Sequence, residues 1–317
     1  MVTDRLIYTN SAGKSVEFSV DSVFHTSVRT DVSGLVGVKT RIYKTPVIGV
    51  DGEVKTGYHI GTRDIEIKGF IDNEYYRDND ASMRELAAVF SPFYTGTLRL
   101  ESDKTYEIDV DVEEAPDPGS QAGARFPKFA ISLIALNPNW RLSYEKTATI
   151  ADSGTEIYYD GTKPCGIQIE ITAKKDDIDM DSFTVQQGST TKTLTFRTGG
   201  GLYLQTDDVI SLNTTPGQVD ITLNDDTALE RLDAANCYFP FELYPGVNTL
   251  SWTVNAIEYD AEDTYAVGDI VEYSGAYYEC STAIETPEAW TAGHWTAISE
   301  ADMFDVTITY TPLFVGV

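Results

Sequence analysis

The 317-residue chain reads as an all-β protein with one short helix: two antiparallel β-sandwich domains and a small inserted β module. Three observations predict this. Short runs of alternating apolar and polar residues recur between Gly, Pro, Asn and Asp turns, the period-2 signature of half-buried strands. Charge divides unevenly, with 15 basic and 21 acidic side chains in residues 1–140 against 8 and 29 in residues 141–317. One segment, 258–302, concentrates eleven acidic residues and seven aromatics without a single Lys or Arg.

In the first domain, 1–140, strands are predicted at 15–20, 64–71, 97–102, 105–112 and 128–136. The stretch NDASMRELAAVFSP predicts the helix, over 82–90. Asp80 or Ser82 would cap it, Met83, Leu86, Ala87 and Phe90 share one face, and Pro92 stands beyond its end. The segment NPNWRL breaks the strand pattern and marks the domain boundary. The second domain, 141–317, resumes with GTEIYYDGTKPCGIQIEIT. A hairpin is expected around 187–190, then three short strands in 200–223, a hairpin turning at Pro245-Gly246, and a closing strand in DVTITY. The flanking strands TLSWTVN and DVTITY would pair if the acidic-aromatic block were lifted out. That places a module, 259–300, at a hairpin tip.

Composition bounds the partners. A net charge of −27 repels phosphate backbones and anionic membranes alike, so neither specific nucleic-acid binding nor a membrane role is expected. No apolar run approaches the ~20 residues that span a bilayer. The first residues, MVTDRLIYTN, show no basic-then-apolar leader, so no secretory signal is expected. Cys165, Cys237 and Cys280 fit neither a disulfide framework nor a metal knuckle and read as free thiols of a reducing compartment.

Nothing points to catalysis. His25, His59 and His294 lack partner ligands at helical spacing, and no nucleophile-elbow, zinc-protease or phosphate-loop motif occurs. Asp177, Asp179 and Asp181 imitate the start of a calcium loop. Ser182 where that loop needs Gly, and Gly188 where it needs a bidentate carboxylate, argue instead for a strand with a solvated acidic face. The expectation is no enzyme, no cofactor and no metal.

Several stretches carry a resemblance in their order: ALNPNWRL after an isolated helix, then YDGTKPCGIQIEI, LYPGVNTLSW and a terminal VTITYTP. Together they resemble the distal tail protein (Dit) family of long non-contractile-tailed bacteriophages. The resemblance implies a homo-hexamer ring of first domains docked on the tail tube protein. It also implies galectin-like second domains carrying a tail-associated lysin, tail fibre or receptor-binding protein. The expected location is the virion tail tip, after assembly in the host bacterial cytoplasm.

Within the block, Tyr265, Gly268, Asp269, Val271, Tyr273, Gly275 and Tyr278, followed by Pro287, Trp290 and Trp295, resemble carbohydrate-binding modules of families 5 and 12. Tyr259 stands where many members carry Trp. The resemblance implies binding of a host cell-wall polysaccharide, and the chemistry suits it: aromatic rings stack on the apolar face of a pyranose while carboxylates accept from its hydroxyls. Alternation assigns Tyr265, Tyr273 and Tyr278 to the module's core. It leaves Tyr259, Trp290 and Trp295 as exposed carbohydrate-binding candidates, while Gly268, Asp269 and Gly275 form turns. Two rival readings are a bacterial carbohydrate-binding adhesin, which would carry a signal peptide, and a sugar hydrolase, which would carry its module on a Pro/Ser/Thr-rich linker.

Overall fold

The computed structural model describes residues 4–49, 51–75, 78–116, 124–150, 154–197, 202–233, 235–237, 241–254 and 256–317. The chain divides into two compact units, Met1–Tyr144 with Leu313–Val317, and Glu145–Pro312. The boundary therefore falls four residues beyond the expected one, and the last five residues, expected in the second domain, belong to the first.

Unit 1 contains β1 (Arg5–Asn10), β2 (Ser15–Ser19), β3 (Phe24–His25), β4 (Val32–Ser33), β5 (Thr40–Pro46), β6 (Glu53–Ile60), β7 (Arg63–Ile71), β8 (Thr95–Glu101), β9 (Thr105–Glu114), β10 (Lys128–Ala135) and β11 (Trp140–Leu142). Its main sheet runs β10-β7-β3-β2-β1-β8-β9-β11, with the C-terminal strand Leu313–Phe314 beside β11 and β4 on β7. β9 is long enough to pair also with β10, across a bulge, so this sandwich is one sheet closed on itself. Inward positions supply Leu6, Tyr8, Phe18, Ile67, Leu98, Ile131 and Leu133, all buried.

Among the described residues this unit has two short helices, α1 (Val28–Asp31) and α2 (Asn79–Val89). α2 drives Met83, Leu86 and Val89 into the core, with Phe90, just past its end, stacked on Tyr8 at 4.2 Å. It starts three residues before the predicted helix, with no side-chain cap. Buried Asn79 fixes that start instead, donating to Arg125 O at 3.0 Å, while Asn10 Nδ2 donates to Val89 O at the other end. Tertiary hydrogen bonds decide both ends, and no local cap signal records them.

At the seam of unit 1 lies Arg63, 2% exposed and facing backbone carbonyls rather than a carboxylate. Its Nε donates to Pro138 O at 2.7 Å, its Nη1 to Gly34, Leu35 and Gly37, and its Nη2 to Val315. Trp140, fully buried, adds Nε1 to Leu35 O at 3.2 Å. The NPNW stretch, expected to be a boundary, thus closes unit 1. Gly34 sits in this knot at φ +86, and a Cβ there would strike the Asp64 carbonyl, so only glycine fits.

Unit 2 contains β12 (Lys146–Ile150), β13 (Thr155–Tyr159), β14 (Cys165–Gly166), β15 (Gln168–Ala173), β16 (Ile178–Gln187), β17 (Thr190–Thr195), β18 (Leu202–Leu204), β19 (Val209–Asn213), β20 (Asp220–Leu223), β21 (Asp226–Thr227), β22 (Glu242–Leu243) and β23 (Gly246–Val254). After the module come α3 (Glu300–Met303) and a last strand, Phe304–Tyr310. One sheet runs β12, Phe304–Tyr310, β15, β19, β20, β21, and the other β13-β23-β16-β17 with β18 on β16. Tyr159 of one meets Tyr310 of the other at 5.9 Å, across a core that includes Ile171, Ile308, Phe183 and Trp252.

The 187–190 hairpin forms as expected, Gln187 opposite Thr190. The hairpin at Pro245-Gly246 does not, because β22 pairs with β14 rather than β23. Fully buried Asn248 shapes that loop, binding Tyr244 N–H at 2.9 Å, Tyr244 O at 2.7 Å and Gly246 O at 3.1 Å. Nor do the strands flanking the module pair. β23 is already taken on both sides by β13 and β16, and Phe304–Tyr310 by β12 and β15. The module therefore interrupts a crossover between the two sheets of the sandwich, not a hairpin tip. The imitation calcium segment forms the start of β16, but Asp179 is 8% exposed, so the expected solvated acidic face is partly buried.

Two outcomes are expected. Arg63→Ala orphans several buried carbonyls, each worth about 1–3 kcal/mol, and should lower the unit 1 transition by more than about 3 kcal/mol in denaturant titration. Arg63→Lys should recover little, since an ammonium lacks the planar five-donor fork. Replacing residues 257–299 with a short Gly/Ser linker should leave the sandwich of unit 2 with its cooperative melt by calorimetry. Loss of that melt would show that the module is part of the sandwich's own core.

Candidate functional site: an aromatic module

The module is a four-stranded sheet in the order β24 (Ile257–Glu258), β25 (Ile270–Tyr273), β26 (Ala276–Cys280) and β27 (Trp295–Ile298). β24 lies parallel to β25 and the other pairs are antiparallel. The β25–β26 turn is Ser274-Gly275, both at positive φ (55° and 79°), the two-residue geometry that follows strand twist most easily. At the other turn Gly268 has φ +100, and the Asp269 carboxylate accepts from Ala266 N–H at 2.7 Å.

One face of the sheet is aromatic. Tyr265, Val271, Cys280, Ile284 and Trp295 are its buried core, with Tyr259, Tyr278 and Trp290 packed against them. Trp290 stacks on Tyr273 at 4.0 Å (10° between planes) and on Trp295 at 5.1 Å (12°). At those distances two parallel rings cannot lie side by side on one indole face, so Tyr273 and Trp295 cover opposite faces of Trp290. Tyr259 stands nearly perpendicular to all three, at 5.0–5.7 Å. Its hydroxyl donates to Glu288 O at 2.7 Å, and Glu288 in turn meets His294 Nδ1 at 2.7 Å. Tyr265 is pinned by its hydroxyl, which donates to Asp260 O at 3.0 Å and accepts from Asp260 N–H at 2.7 Å. Glu279 accepts both of its 2.9 Å hydrogen bonds from Lys175, at the start of the sandwich's β16 region.

Trp295, expected to be exposed, is 7% exposed. It faces the same side as its register partner Cys280, and a module this small has too few aliphatic residues to fill its interior without an indole. Tyr259 and Trp290 are half-buried. Tyr265 is buried, whereas Tyr273 and Tyr278, assigned to the core by alternation, are also half-buried. Alternation fixes the face of a strand but not the depth at which each ring stops.

The thiols are poor nucleophiles. Burial pushes Cys165 up to about 12 and raises Cys237 and Cys280. Among the described residues no group of three or more His, Cys, Asp or Glu is placed to hold a metal, and no helix is long and apolar enough to cross a membrane.

Sequence reading missed one surface entirely. Among the described residues, β5 and β6 form a two-stranded hairpin that pairs with no other strand and is exposed along nearly its whole length. Ile42, Tyr43, Val47, Ile48, Val54 and Tyr58 are exposed on it, with Arg41 over the Tyr43 ring and Lys55 over Tyr58. The Asp51-Gly52 pair is the signal that could have found it.

This architecture defines an all-β protein of two compact units, with a small aromatic module spliced into the second. The solved structure of SPP1 Dit, described as a paradigm of the hub adsorption apparatus in phages infecting Gram-positive bacteria, shares the fold. It aligns with a TM-score of 0.60 at 12% identity, over 98% of this chain and 99% of that one. A chain of the phage P2 baseplate in its activated conformation with Ca aligns at 0.39 and 11% identity, over 80% and 96%. Residues 258–296 match the family described as carbohydrate-binding module family 5/12. A comparison with curated proteins finds no match.

The Tyr259 and Tyr265 hydroxyls ionise above the usual phenol range, chiefly because burial disfavours the phenolate. The stability they contribute is present below pH ~10 and lost as pH rises through their folded values. The module's near-ultraviolet circular dichroism should therefore persist at pH 9 and collapse above pH ~10, a step that shrinks in the chain lacking residues 257–299, where buried Tyr8 and Tyr310 are raised in the same way.

Proposed function

We propose that the chain is the structural hub of a bacteriophage tail tip and that its module attaches the tip to a saccharide of the host cell surface. The observation that carries this reading is the likeness to a hub protein over 98% of the chain, joined to a segment, 258–296, that matches a carbohydrate-binding family. Copies associate through unit 1 into a ring of six, docked on a tail tube protein and carrying a lysin, fibre or receptor-binding protein. The exposed β5–β6 hairpin supports that association. An isolated two-stranded hairpin is marginal in water, and this one offers apolar side chains and the cations Arg41, Lys44 and Lys55 to an acidic chain. Six modules in one ring raise a weak single-site affinity by effective concentration.

Native mass spectrometry across a concentration series, with negative-stain imaging, tests the ring. A species near six times 35.0 kDa with ring-shaped particles is expected, and shortening the hairpin to its β5 and β6 ends should shift it toward monomer. A strict monomer at every concentration overturns self-assembly and favours a carbohydrate-binding adhesin.

A further inference from the structure

The aromatic face is partly core and partly rim, and ring contacts show where one gives way to the other. Trp290 has a ring on each face, Tyr273 at 4.0 Å and Trp295 at 5.1 Å, so it has no face left for a sugar. Trp295 and Tyr265 are buried. Tyr259 is tied by its hydroxyl to Glu288 and meets four other rings, and Tyr278 meets Trp290 edge to face at 4.8 Å. Tyr273 ends the stack. Its ring contacts are Trp290 on one face and Tyr259 at an edge, it is half-buried, and it sits at the β25–β26 turn. The neighbours there are small and exposed: Ser274, Gly275 and its register partner Ala276.

We propose that the outward face of Tyr273 is the platform on which the module stacks an uncharged pyranose, with Trp290 behind it as a rigid backing. This rests on the saccharide-binding reading of the module and adds to it the residue and the charge class of the ligand. A ring already stacked on Trp290 loses little freedom when a sugar lands on it, so the platform is preorganised. The charge follows from the surroundings. With eleven carboxylates and no Lys or Arg in residues 258–302, the module repels phosphodiester and uronate polymers, while its carboxylates accept hydrogen bonds from neutral hydroxyls.

The test uses the full chain. The probes are hexasaccharides of β-1,4-linked glucose and of β-1,4-linked N-acetylglucosamine, with polyglycerol phosphate as the anionic comparison. Tyr273→Ala should weaken hexasaccharide binding at least tenfold by calorimetry, while Tyr273→Phe, which keeps the stacked ring, should stay within twofold and melt as wild type. A second measurement needs no variant: tetranitromethane nitration of Tyr273, mapped by mass spectrometry, should fall when a hexasaccharide is bound. Tyr273→Ala binding within twofold of wild type, or protection falling on Tyr277 or Tyr259 instead, overturns the platform and leaves the saccharide reading standing. Binding of polyglycerol phosphate alone overturns the charge assignment. A wild-type chain that binds none of the three overturns the saccharide reading and the platform with it.

Discussion

The architecture of unit 1 depends on one buried guanidinium. Arg63 opens β7 and draws together three segments distant in sequence: the 34–37 loop, the Pro138 turn before β11, and the C-terminal strand at Val315. A carboxylate partner would have satisfied at most two of its donors. A ring of carbonyls uses the whole planar fork and satisfies backbone acceptors that would otherwise be buried without partners. Burial lowers the pKa of Arg63, but arginine titrates so high that it keeps its charge, so the knot persists across physiological pH. Because the last strand is one of the tied segments, the end of the chain is part of the first unit's fold, and the second unit is contained between two parts of the first.

Strand saturation governs unit 2 in a similar way. Each strand beside the module already has two partners, so an insertion between them meets no open edge on either strand. The crossover can lengthen from a short link to a folded module without breaking a ladder hydrogen bond, and loop closure grows costlier only slowly with length. The module then supplies its own small core, and Lys175 and Glu279 tie it to the sandwich.

That core explains the density of aromatics in the block. With about forty residues, aliphatic side chains alone bury too little surface, so Trp295 and Tyr265 fill the interior and Trp290 bridges from it to the rim. The same stacking that stabilises the module orients its outermost ring. Core and rim are then successive members of one column of rings.

The period-2 pattern, turn dipeptides and charge division determined that the protein is all-β, where most strands run, where the module lies and which of its residues turn. These are local properties, set by backbone geometry and by which neighbours alternate. The tertiary structure decided what depends on distant partners. It set the start of α2 through Asn79 and Arg125, the ends of unit 1 through Arg63, and the partners of β22 and β23 through Asn248 and strands already paired. It also decided which aromatic faces are left open. Trp295 and Tyr273 both read as module aromatics, but only packing in three dimensions assigns one to the base of the stack and the other to its end. Ring-face exposure depends on what lies opposite, which a one-dimensional pattern does not encode.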